Sequence, residues 1–451
     1  MNPPLLLQTR RQFLRTQALG GALAATVPAF LAHTFSALHA AAAEAGDRQA
    51  VTGRDAPILV MLQLAGGNDG LNTLVPYAND DYHRARPKLG LAPGEVLKLN
   101  DHLGWHPNLT GFRDLFEAGN LAVIQGVGYP NPNRSHFRST EIWQTAADAD
   151  RFEKFGWLGR YFDQACPGAD PTVGVSVGRQ MPQAFAAQTP KGVSLETPGS
   201  YRFIAGDGKD GGGMAGTEES YRRMNEMEET HGLAGGGGDA QAGGSIGSLH
   251  GPAHAGISPL DFLERTAMDA QVSSDKIRAI SQKIKNSGEY PTGNLANSLK
   301  LVARLIGGGL PTRVYYVSQG GYDTHTNQVN AQPRLLRELG DSLKAFLADV
   351  RAQGNYERVR VVTFSEFGRR VAENASGGTD HGAAAPMFIA GGGVKAGLHG
   401  QAPSLSPADL VNGDPVFGVD FRAVYAGVLE DWLHTPSTPI LGRQFTPLHL
   451  G

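Results

Sequence analysis

Short apolar runs recur along the chain and are separated by stretches with helical spacing. The first run, Ile58 to Leu64 (ILVMLQL), is long enough for one strand and contains a single polar residue. Runs of this kind are typical of strands buried on both faces of a parallel sheet. The other runs of the same character are Leu121 to Val127, Arg313 to Val317, Val359 to Phe364 and Pro386 to Ala390.

The segments between these runs have apolar residues at spacings of three and four, as amphipathic helices do. The clearest are Leu335 to Val350 and Phe421 to Leu433, and Asp420 precedes the second as a plausible N-cap. Strands that alternate with helices predict an α/β fold with a mostly parallel central sheet and helices on both faces.

A glycine-rich stretch interrupts this pattern. Residues 206–256 include GKDGGGMAG and LAGGGGDAQAGGSIG, a glycine density typical of a flexible excursion. We predict an insertion or cap at about residues 181–301 of a single domain that spans residues 44–451. Solvated side chains are the simpler interpretation of three histidines in this stretch, and a loosely bound metal is the alternative. These histidines are His231, His250 and His254.

The N-terminus carries paired arginines, Arg10 and Arg11, within the sequence RRQFL. A modestly apolar stretch at residues 18–31 and an alanine-rich run follow, in the order that signal peptides show. Because paired arginines indicate the twin-arginine pathway, we predict a signal peptide over residues 1–43, transport by the twin-arginine translocase, and a periplasmic or secreted protein. Glycines, a proline and a histidine interrupt the apolar stretch, so we expect no stable membrane span in the mature chain.

Composition excludes several other classes. The net charge is −3 and no basic run is present, so nucleic acid and anionic membranes are not expected partners. Cys166 is the single cysteine, which excludes an internal disulfide and a cysteine-based zinc or iron–sulfur site. The loop AGGNDG does not fit the dinucleotide motif G-x-G-x-x-G, and no G-x-S-x-G nucleophile elbow occurs.

Carboxylates and histidines border the predicted strands at four places. In open parallel sheets, ligands collect at the carboxyl ends of the strands. Carboxylate oxygen combined with imidazole nitrogen favours Zn²⁺ or Mn²⁺ over Ca²⁺ or Mg²⁺. Each residue alone is also explained as a turn or helix cap, but four convergent groups predict a metal site. In chain order they are Asp69, Asp323, His325, Glu366, Asp380 and His381.

Longer motifs carry a resemblance to a known family. They are RRQFL, LQLAGGNDGLNTLVP, YYVSQGGYDTHTNQ, VVTFSEFGRR, GGTDHGAAAPMFIAGGGV and VDFRAVYAGVLEDWL. Over nearly the whole chain they resemble the exported family known as domain of unknown function 1501. That family is similar to the alkaline phosphatase and sulfatase superfamily. The resemblance implies an alkaline phosphatase-like fold, bound metal ions and a Ser, Thr or modified Cys nucleophile for phosphoryl or sulfuryl transfer.

The resemblance also assigns metal ligation to four of the residues above. In this chain one residue separates Asp323 from His325, whereas the Asp–His pair of the superfamily usually has three intervening residues. Glu366 can replace an Asp, but Phe367 cannot replace the His that the superfamily shows next, and Asp380 offers a substitute for that lost ligand. We therefore expect one divalent ion, Zn²⁺ or Mn²⁺, rather than two. The four matching residues are Asp69, Asp323, His325 and His381.

By the same resemblance, the nucleophile lies after the second strand region, at the start of a helix whose dipole and free N–H groups favour an anion. That region reads YPNPNRSHFRSTEIWQT, in which Ser135 precedes a predicted helix over 136–145. Ser135 is the candidate nucleophile, and His136 and Ser139 are its nearest substitutes. Serine is also favoured at N-caps, so a capping role explains Ser135 equally well.

Two functional hypotheses follow. The first is an exported metal-dependent hydrolase of phosphate or sulfate esters, in which Arg134 and Arg369 bind anionic oxygens of the substrate. The second is a non-catalytic envelope protein of the same fold that binds a partner or a polysaccharide. The acidic and histidine residues favour the hydrolase, whereas Phe367 and the short Asp–His spacing favour the binding protein.

Overall fold

The computed structural model describes residues 56–189, 192–196 and 275–451. The predicted signal peptide, the glycine-rich stretch and its histidines His231, His250 and His254 lie outside the described residues. Within the described ranges, no helix is both long and apolar enough to cross a membrane.

The described strands are numbered in chain order. They are β1 Ile58–Leu64, β2 Leu74–Val75, β3 Leu97–Lys98, β4 Gly104–Trp105, β5 Leu121–Gly128, β6 Gly174–Val177, β7 Val193–Leu195, β8 Val314–Gln319, β9 Val359–Phe364, β10 Arg369–Glu373, β11 Thr379–His381, β12 Ala385–Gly391, β13 Gly397–His399 and β14 Val419–Asp420. In this part of the chain, nine strands form the central sheet in the order β13-β5-β12-β9-β1-β8-β6-β7, with β14 paired to β5.

The described helices surround this sheet. They are α1 Gly70–Thr73, α2 Asp80–Ala85, α3 Thr110–Glu117, α4 His136–Thr145, α5 Trp157–Ala165, α6 Asn294–Gly307, α7 Gln328–Ala352, α8 Phe421–Gly427 and α9 Ser437–Leu441. A π-helical turn at Val428–Trp432 continues α8, and residues 275–283 are also helical. Single 3₁₀ turns lie at Pro171–Val173, Gln183–Phe185 and Tyr356–Arg358.

The central strand β1 is buried along its whole length, as its apolar sequence predicts. Alternate side chains of a strand point to opposite faces of a sheet. Ile58 and Val60 therefore belong to one core, which includes side chains of α3, α6 and α7. Leu59 and Met61 belong to a second core, which includes side chains of α4, α5 and α8. Helices thus cover both faces, which confirms the predicted α/β architecture.

The pairing of β12 brings the candidate residues to one edge of the sheet. Strand β1 runs parallel to both β8 and β9, so these three strands end at the same edge. Strand β12 is antiparallel to β9 and to β5. It follows that β12 begins where β1, β5, β8 and β9 end. The segment just before β12 therefore meets the loops that follow the parallel strands.

Most predicted elements occur where their patterns place them. Strands β1 and β9 and helix α4 have the predicted limits, and the other three strands differ by one or two residues at their ends. The Asp420 carboxylate accepts a hydrogen bond from the backbone N–H of Arg422, which confirms it as the N-cap of α8. Helix α7 begins at Gln328 instead of Leu335, because its first turns bury glutamines that an apolar pattern does not reveal.

The described parts of the predicted insertion belong to the main fold. Strand β7 pairs in parallel with β6 at the end of the central sheet. Helix α6 contributes Leu295, Leu299 and Leu301 to the core on one face of that sheet. The rest of the predicted insertion, residues 190–191 and 197–274, lies outside the described residues.

Candidate metal centre

Two glycines allow the loop after β1 to approach the other loops closely. Gly66 has φ +118°, and a Cβ there would lie 2.4 Å from the backbone nitrogen of Asp323. Gly67 has φ +79°, and a Cβ there would lie 2.3 Å from the phenyl ring of Phe367. Only glycine adopts these conformations without strain and leaves room for both neighbours. The sequence AGGND therefore determines how closely the loops after β1, β8 and β9 pack.

Three imidazoles converge on the carboxylate of Asp323. The Nε2 atoms of His325 and His381 each lie 3.1 Å from Asp323 Oδ1, and that of His136 lies 3.4 Å from Asp323 Oδ2. The Nε2 atoms of His325 and His381 are 2.9 Å apart. One ligand atom from each of His136, Asp323 and His381 lies within 4.8 Å of the others. Four of the chain's polar side chains thus share one small volume.

The Nδ1 atom of each imidazole is held by an acceptor. His136 Nδ1 lies 2.9 Å from Glu366 Oε1, and His325 Nδ1 lies 3.0 Å from Asp380 Oδ1. His381 Nδ1 lies 2.8 Å from the carbonyl oxygen of Arg134. An acceptor at Nδ1 places the proton there and leaves the Nε2 lone pair free, which is the usual arrangement around a metal-binding histidine. All three rings therefore present Nε2 towards Asp323 as a ligand atom.

Glu366 is a buried carboxylate whose two oxygens differ. Its side chain is 3% exposed. Oε1 accepts hydrogen bonds from the backbone N–H of Gly66, at 2.8 Å, and from His136. Oε2 is buried and has no hydrogen-bond partner in the structure. A buried carboxylate oxygen without a partner is unfavourable unless a cation lies nearby.

The buried guanidinium of Arg369 connects the loops of the centre through hydrogen bonds. Its guanidinium is fully buried and donates to the carbonyl oxygens of Gly67, Tyr322 and Thr379 at 2.7 to 2.9 Å. It also donates to Asp323 Oδ1 at 2.9 Å. The structure therefore places Arg369 behind Asp323, with its N–H groups engaged by the protein, rather than open to an anionic substrate.

The charges in the centre suit a cation. Burial alone would raise the pKa of Asp323, but the hydrogen bond from Arg369 and the positive charge of its guanidinium outweigh it and hold the pKa at about 2. Burial lowers the pKa of His381, and the positive charge of Arg369 acts in the same direction. At neutral pH Asp323 is anionic and His381 is neutral, and these are the forms that bind metals.

Phe367 packs directly against the histidines. Its ring centroid lies 4.3 Å from that of His381 and 4.9 Å from that of His136. The phenyl ring supplies no ligand atom, but it limits how far either imidazole can rotate. The resemblance to the alkaline phosphatase and sulfatase superfamily predicts a histidine at this position. The structure shows an aromatic wall there instead.

The carboxylate of Asp69 is held by a separate set of hydrogen bonds. Its Oδ1 accepts from the backbone N–H of Leu71 and caps α1, and its Oδ2 lies 2.5 Å from both Arg86 Nη1 and Gln328 Nε2. Asp69 and Arg86 are both buried, and breaking such a pair leaves an uncompensated charge. The structure thus brings Asp323, His325, Glu366, Asp380 and His381 together with His136, and it places Asp69 in the support of the loop after β1.

Ser135 lies at the N-terminus of α4, next to the centre. It occupies the N-cap position, but its side chain makes no capping hydrogen bond and is exposed. The residues on either side contact the cluster, because Arg134 accepts from His381 through its carbonyl and His136 supplies an imidazole. The Arg134 guanidinium pairs with Asp414, so it is not a free cation at the mouth of the site.

The donor set fits a single divalent ion. Ligand atoms at about 2.0–2.1 Å from a tetrahedral zinc ion lie roughly 3.3 Å from each other, close to the separations of 3.1 to 3.4 Å around Asp323. Imidazole nitrogens with one carboxylate oxygen suit Zn²⁺ or Mn²⁺. The unpartnered oxygen of Glu366 adds negative charge beside this set. His136, Asp323 and His381 would hold the ion, and His325 lies beside this set, with its Nε2 2.9 Å from that of His381.

The sequence of this chain matches a family model over residues 56–440, which includes every residue of the centre. The model is described as a protein of unknown function, DUF1501. The chain belongs to this family. No curated protein matches the chain.

Several solved structures resemble this DUF1501 chain at low similarity. Alkaline phosphatase from the Antarctic bacterium TAB5 is 12% identical, with 76% of this chain and 94% of that chain covered and a TM-score of 0.31. A 2-O GAG sulfatase is 10% identical, with 86% and 75% covered and a TM-score of 0.30. A sulfatase from Pseudoalteromonas sp. is 11% identical, with 81% and 68% covered and a TM-score of 0.32. Similarity at this level does not indicate a shared activity.

His136 is the member of the centre that the ligand prediction missed. The rule that ligands follow the carboxyl ends of parallel strands predicts ligands after β1, β8 and β9, whereas the sequence after β5 offers candidates for the nucleophile. Strand β5 ends at the same edge, and α4 starts eight residues later with His136. The same rule, extended to β5, predicts a ligand at His136.

Proposed function

We propose that this protein is an exported metal-dependent hydrolase of phosphate or sulfate esters, with one divalent ion held by His136, Asp323 and His381. The single observation that carries the proposal is the convergence of three imidazole Nε2 atoms on Asp323 while each Nδ1 is held by an acceptor. Export rests on the paired arginines at the N-terminus, which makes the twin-arginine translocase a partner and the periplasm or the exterior the place of action.

The ion would supply Lewis-acid polarisation of an ester oxygen and stabilise negative charge in the transition state. The chain's own residues orient the reaction. Glu366 and Asp380 fix the rings of His136 and His325 through Nδ1, and Arg369 fixes Asp323. Such orienting contacts keep ligand atoms in place when a substrate binds.

Ser135 is the nucleophile in this proposal. Its hydroxyl is exposed at the N-terminus of α4 and is not used as a cap. An anionic ester is favoured at that position by the dipole of a ten-residue helix. Attack by Oγ forms a bond to phosphorus or sulfur and breaks the bond to the leaving alcohol, and the proton that Oγ releases balances the proton that the leaving oxygen takes up. Water then hydrolyses the seryl ester in a second step.

The test compares Ser135→Ala with Ser376→Ala, a second exposed serine outside the centre. Both variants and the wild type are loaded with Zn²⁺ or Mn²⁺ and assayed with 4-nitrophenyl phosphate and 4-nitrophenyl sulfate. We expect Ser135→Ala to lose turnover while its metal content and Tm stay unchanged, because the hydroxyl makes no capping bond. Equal turnover in Ser135→Ala and the wild type would remove serine catalysis from the proposal.

A non-catalytic metal-binding envelope protein is the second candidate. It is favoured by the arginines, since the guanidinium groups of Arg134 and Arg369 are both engaged by protein acceptors. Such a protein would keep its ion as a structural ligand and would bind a small anionic ester or a polysaccharide without turnover. One bound ion per chain, with no hydrolysis of either ester by the wild type, would support this candidate.

A further inference from the structure

A pocket rich in arginine lies at the end of α4 that is remote from the metal centre. His136 of the centre is the first residue of α4 and Thr145 is the last, so about 14 Å of helix separates the two sites. The pocket is partly open to solvent and holds about 160 Å³, whereas one water needs only roughly 10–15 Å³. A small ion therefore fits there. The charged residues of the lining are Asp148, Arg151, Glu153, Arg160, Arg422 and Arg443.

The positive charge of this pocket exceeds the negative charge around it. The Asp420 carboxylate accepts from Arg422 Nε at 2.8 Å and from its Nη2 at 2.6 Å. Asp148 Oδ1 accepts from both Arg422 and Arg443. Glu153 is the remaining carboxylate of the lining. The four arginines of the lining thus face three carboxylates, which leaves one positive charge uncompensated.

Arg160 is a half-buried cation, and within the described part of the chain it forms no ion pair. Its guanidinium donates to the carbonyl oxygens of Thr145 at 2.6 Å, Phe155 at 2.7 Å and Ile440. These bonds hold the guanidinium in place and use three of its five N–H groups. Burial lowers the pKa of Arg160, and the negative charge of Glu153 offsets this effect only in part. An anion in the pocket would stabilise this charge.

Two further arginines of the lining are accessible from solvent. The Arg443 side chain is 53% exposed, and its Nη2 donates to Asp148 at 2.8 Å. Its guanidinium carbon lies 4.8 Å from the ring centroid of Phe445, which restrains the side chain. Arg151 is exposed, and no ion pair forms at its side chain in the described ranges. Both arginines can therefore reach an anion in the pocket, and their N–H groups suit the oxygens of phosphate and sulfate.

We propose that this pocket binds a small tetrahedral oxyanion, phosphate or sulfate, between the half-buried Arg160 and the exposed Arg151 and Arg443. The carboxylates of Asp148 and Glu153 limit the net positive charge, which favours a small anion over a polyanion. The site goes beyond the proposed hydrolysis, since binding at the end of α4 needs neither the metal ion nor turnover.

The test measures binding of inorganic sulfate and of inorganic phosphate to the full chain by isothermal titration calorimetry. Sodium chloride keeps the ionic strength constant, so that general screening does not differ between samples. We expect the wild type to bind each ion at one site that persists with the same Kd in Asp323→Asn. This variant alters the metal centre and leaves the lining of the pocket intact.

Variants of the exposed arginines then locate the site. Arg151→Gln and Arg443→Gln should each weaken binding by about three- to tenfold, and the double variant by about tenfold or more. Arg179→Gln is the matched control, because that side chain is 82% exposed and lies outside the lining. Arg160 is left unchanged to preserve its carbonyl contacts, and the Tm of each variant verifies the fold.

Three results would overturn the proposal. They are absence of sulfate and phosphate binding by the wild type, equal affinity in the double variant and in Arg179→Gln, and loss of the site in Asp323→Asn.

Discussion

Glu366→Gln tests the metal centre by removing one charge while keeping the shape of the side chain. The carboxylate is 3% exposed, and its Oε1 accepts from Gly66 and from His136. Both of those hydrogen bonds remain available to the amide oxygen of glutamine. The change is confined to Oε2, the buried oxygen that has no hydrogen-bond partner. A difference between the wild type and Glu366→Gln therefore shows the effect of the negative charge of Glu366.

The substitution should have opposite effects on the stability of the metal-free protein and of the metal-bound protein. Without metal, the variant no longer buries an uncompensated charge, so its free energy of unfolding should equal or exceed that of the wild type by up to about 1–3 kcal/mol. With metal, the variant lacks the negative charge of the group that contacts His136 Nδ1, and mutation of such a partner typically lowers metal affinity by 10- to 100-fold, or about 1.4–2.7 kcal/mol. The stabilisation that metal gives should shrink by that amount.

Urea unfolding with and without Zn²⁺, together with chelator competition for the Zn²⁺ Kd, measures both effects. Glu289→Gln is the matched control, because Glu289 is exposed and outside the centre. It should alter neither quantity. A Glu366→Gln variant that is less stable without metal, yet binds Zn²⁺ as tightly as the wild type, would refute the role of this charge.

Three further outcomes are expected. His136→Ala should weaken Zn²⁺ binding by more than about 100-fold in chelator competition, because it removes a ligand rather than an orienting group. The control His102→Ala, at an exposed histidine, should leave the affinity unchanged, and equal affinity in the two variants would contradict the assigned ligand set. Replacing Arg10 and Arg11 by Lys should block export, measured by cell fractionation, and normal periplasmic amounts would refute the twin-arginine pathway. Gly67→Ala should lower the free energy of unfolding by at least about 1–2 kcal/mol, because the left-handed backbone at Gly67 and the adjacent phenyl ring of Phe367 exclude a Cβ. Urea titration measures this change, and an unchanged unfolding midpoint would contradict the packing.

The sequence predicts the layers of this fold well because its core strands are buried on both faces. Continuous apolar runs such as Ile58–Leu64 leave little choice of structure, and their limits match the strands closely. An apolar run does not show the direction of β12, because its pattern is the same for parallel and antiparallel pairing. Its antiparallel pairing explains why Asp380 and His381 reach the carboxyl edge although they precede their strand.

The polar parts of the centre are harder to predict, since they depend on partners distant in sequence. Asp69 follows β1 as a metal ligand would, yet Arg86, seventeen residues later, and Gln328 occupy its carboxylate. Nothing in the local pattern distinguishes this buried ion pair from a ligand. His136 presents the opposite case, because a helix start looks like a cap or a nucleophile until the three-dimensional structure places its ring beside Asp323.

X-ray absorption spectroscopy at the Zn and Mn edges tests the central claim most directly. The full chain is expressed with its N-terminal residues intact and purified without chelators, and its metal content is measured on the same sample. The account predicts one ion per chain, bound by at least two imidazole nitrogens and one carboxylate oxygen at about 2.0–2.2 Å, with His136, Asp323 and His381 as the source. A protein without a stoichiometric ion, or an ion whose spectrum lacks histidine scattering, would contradict it.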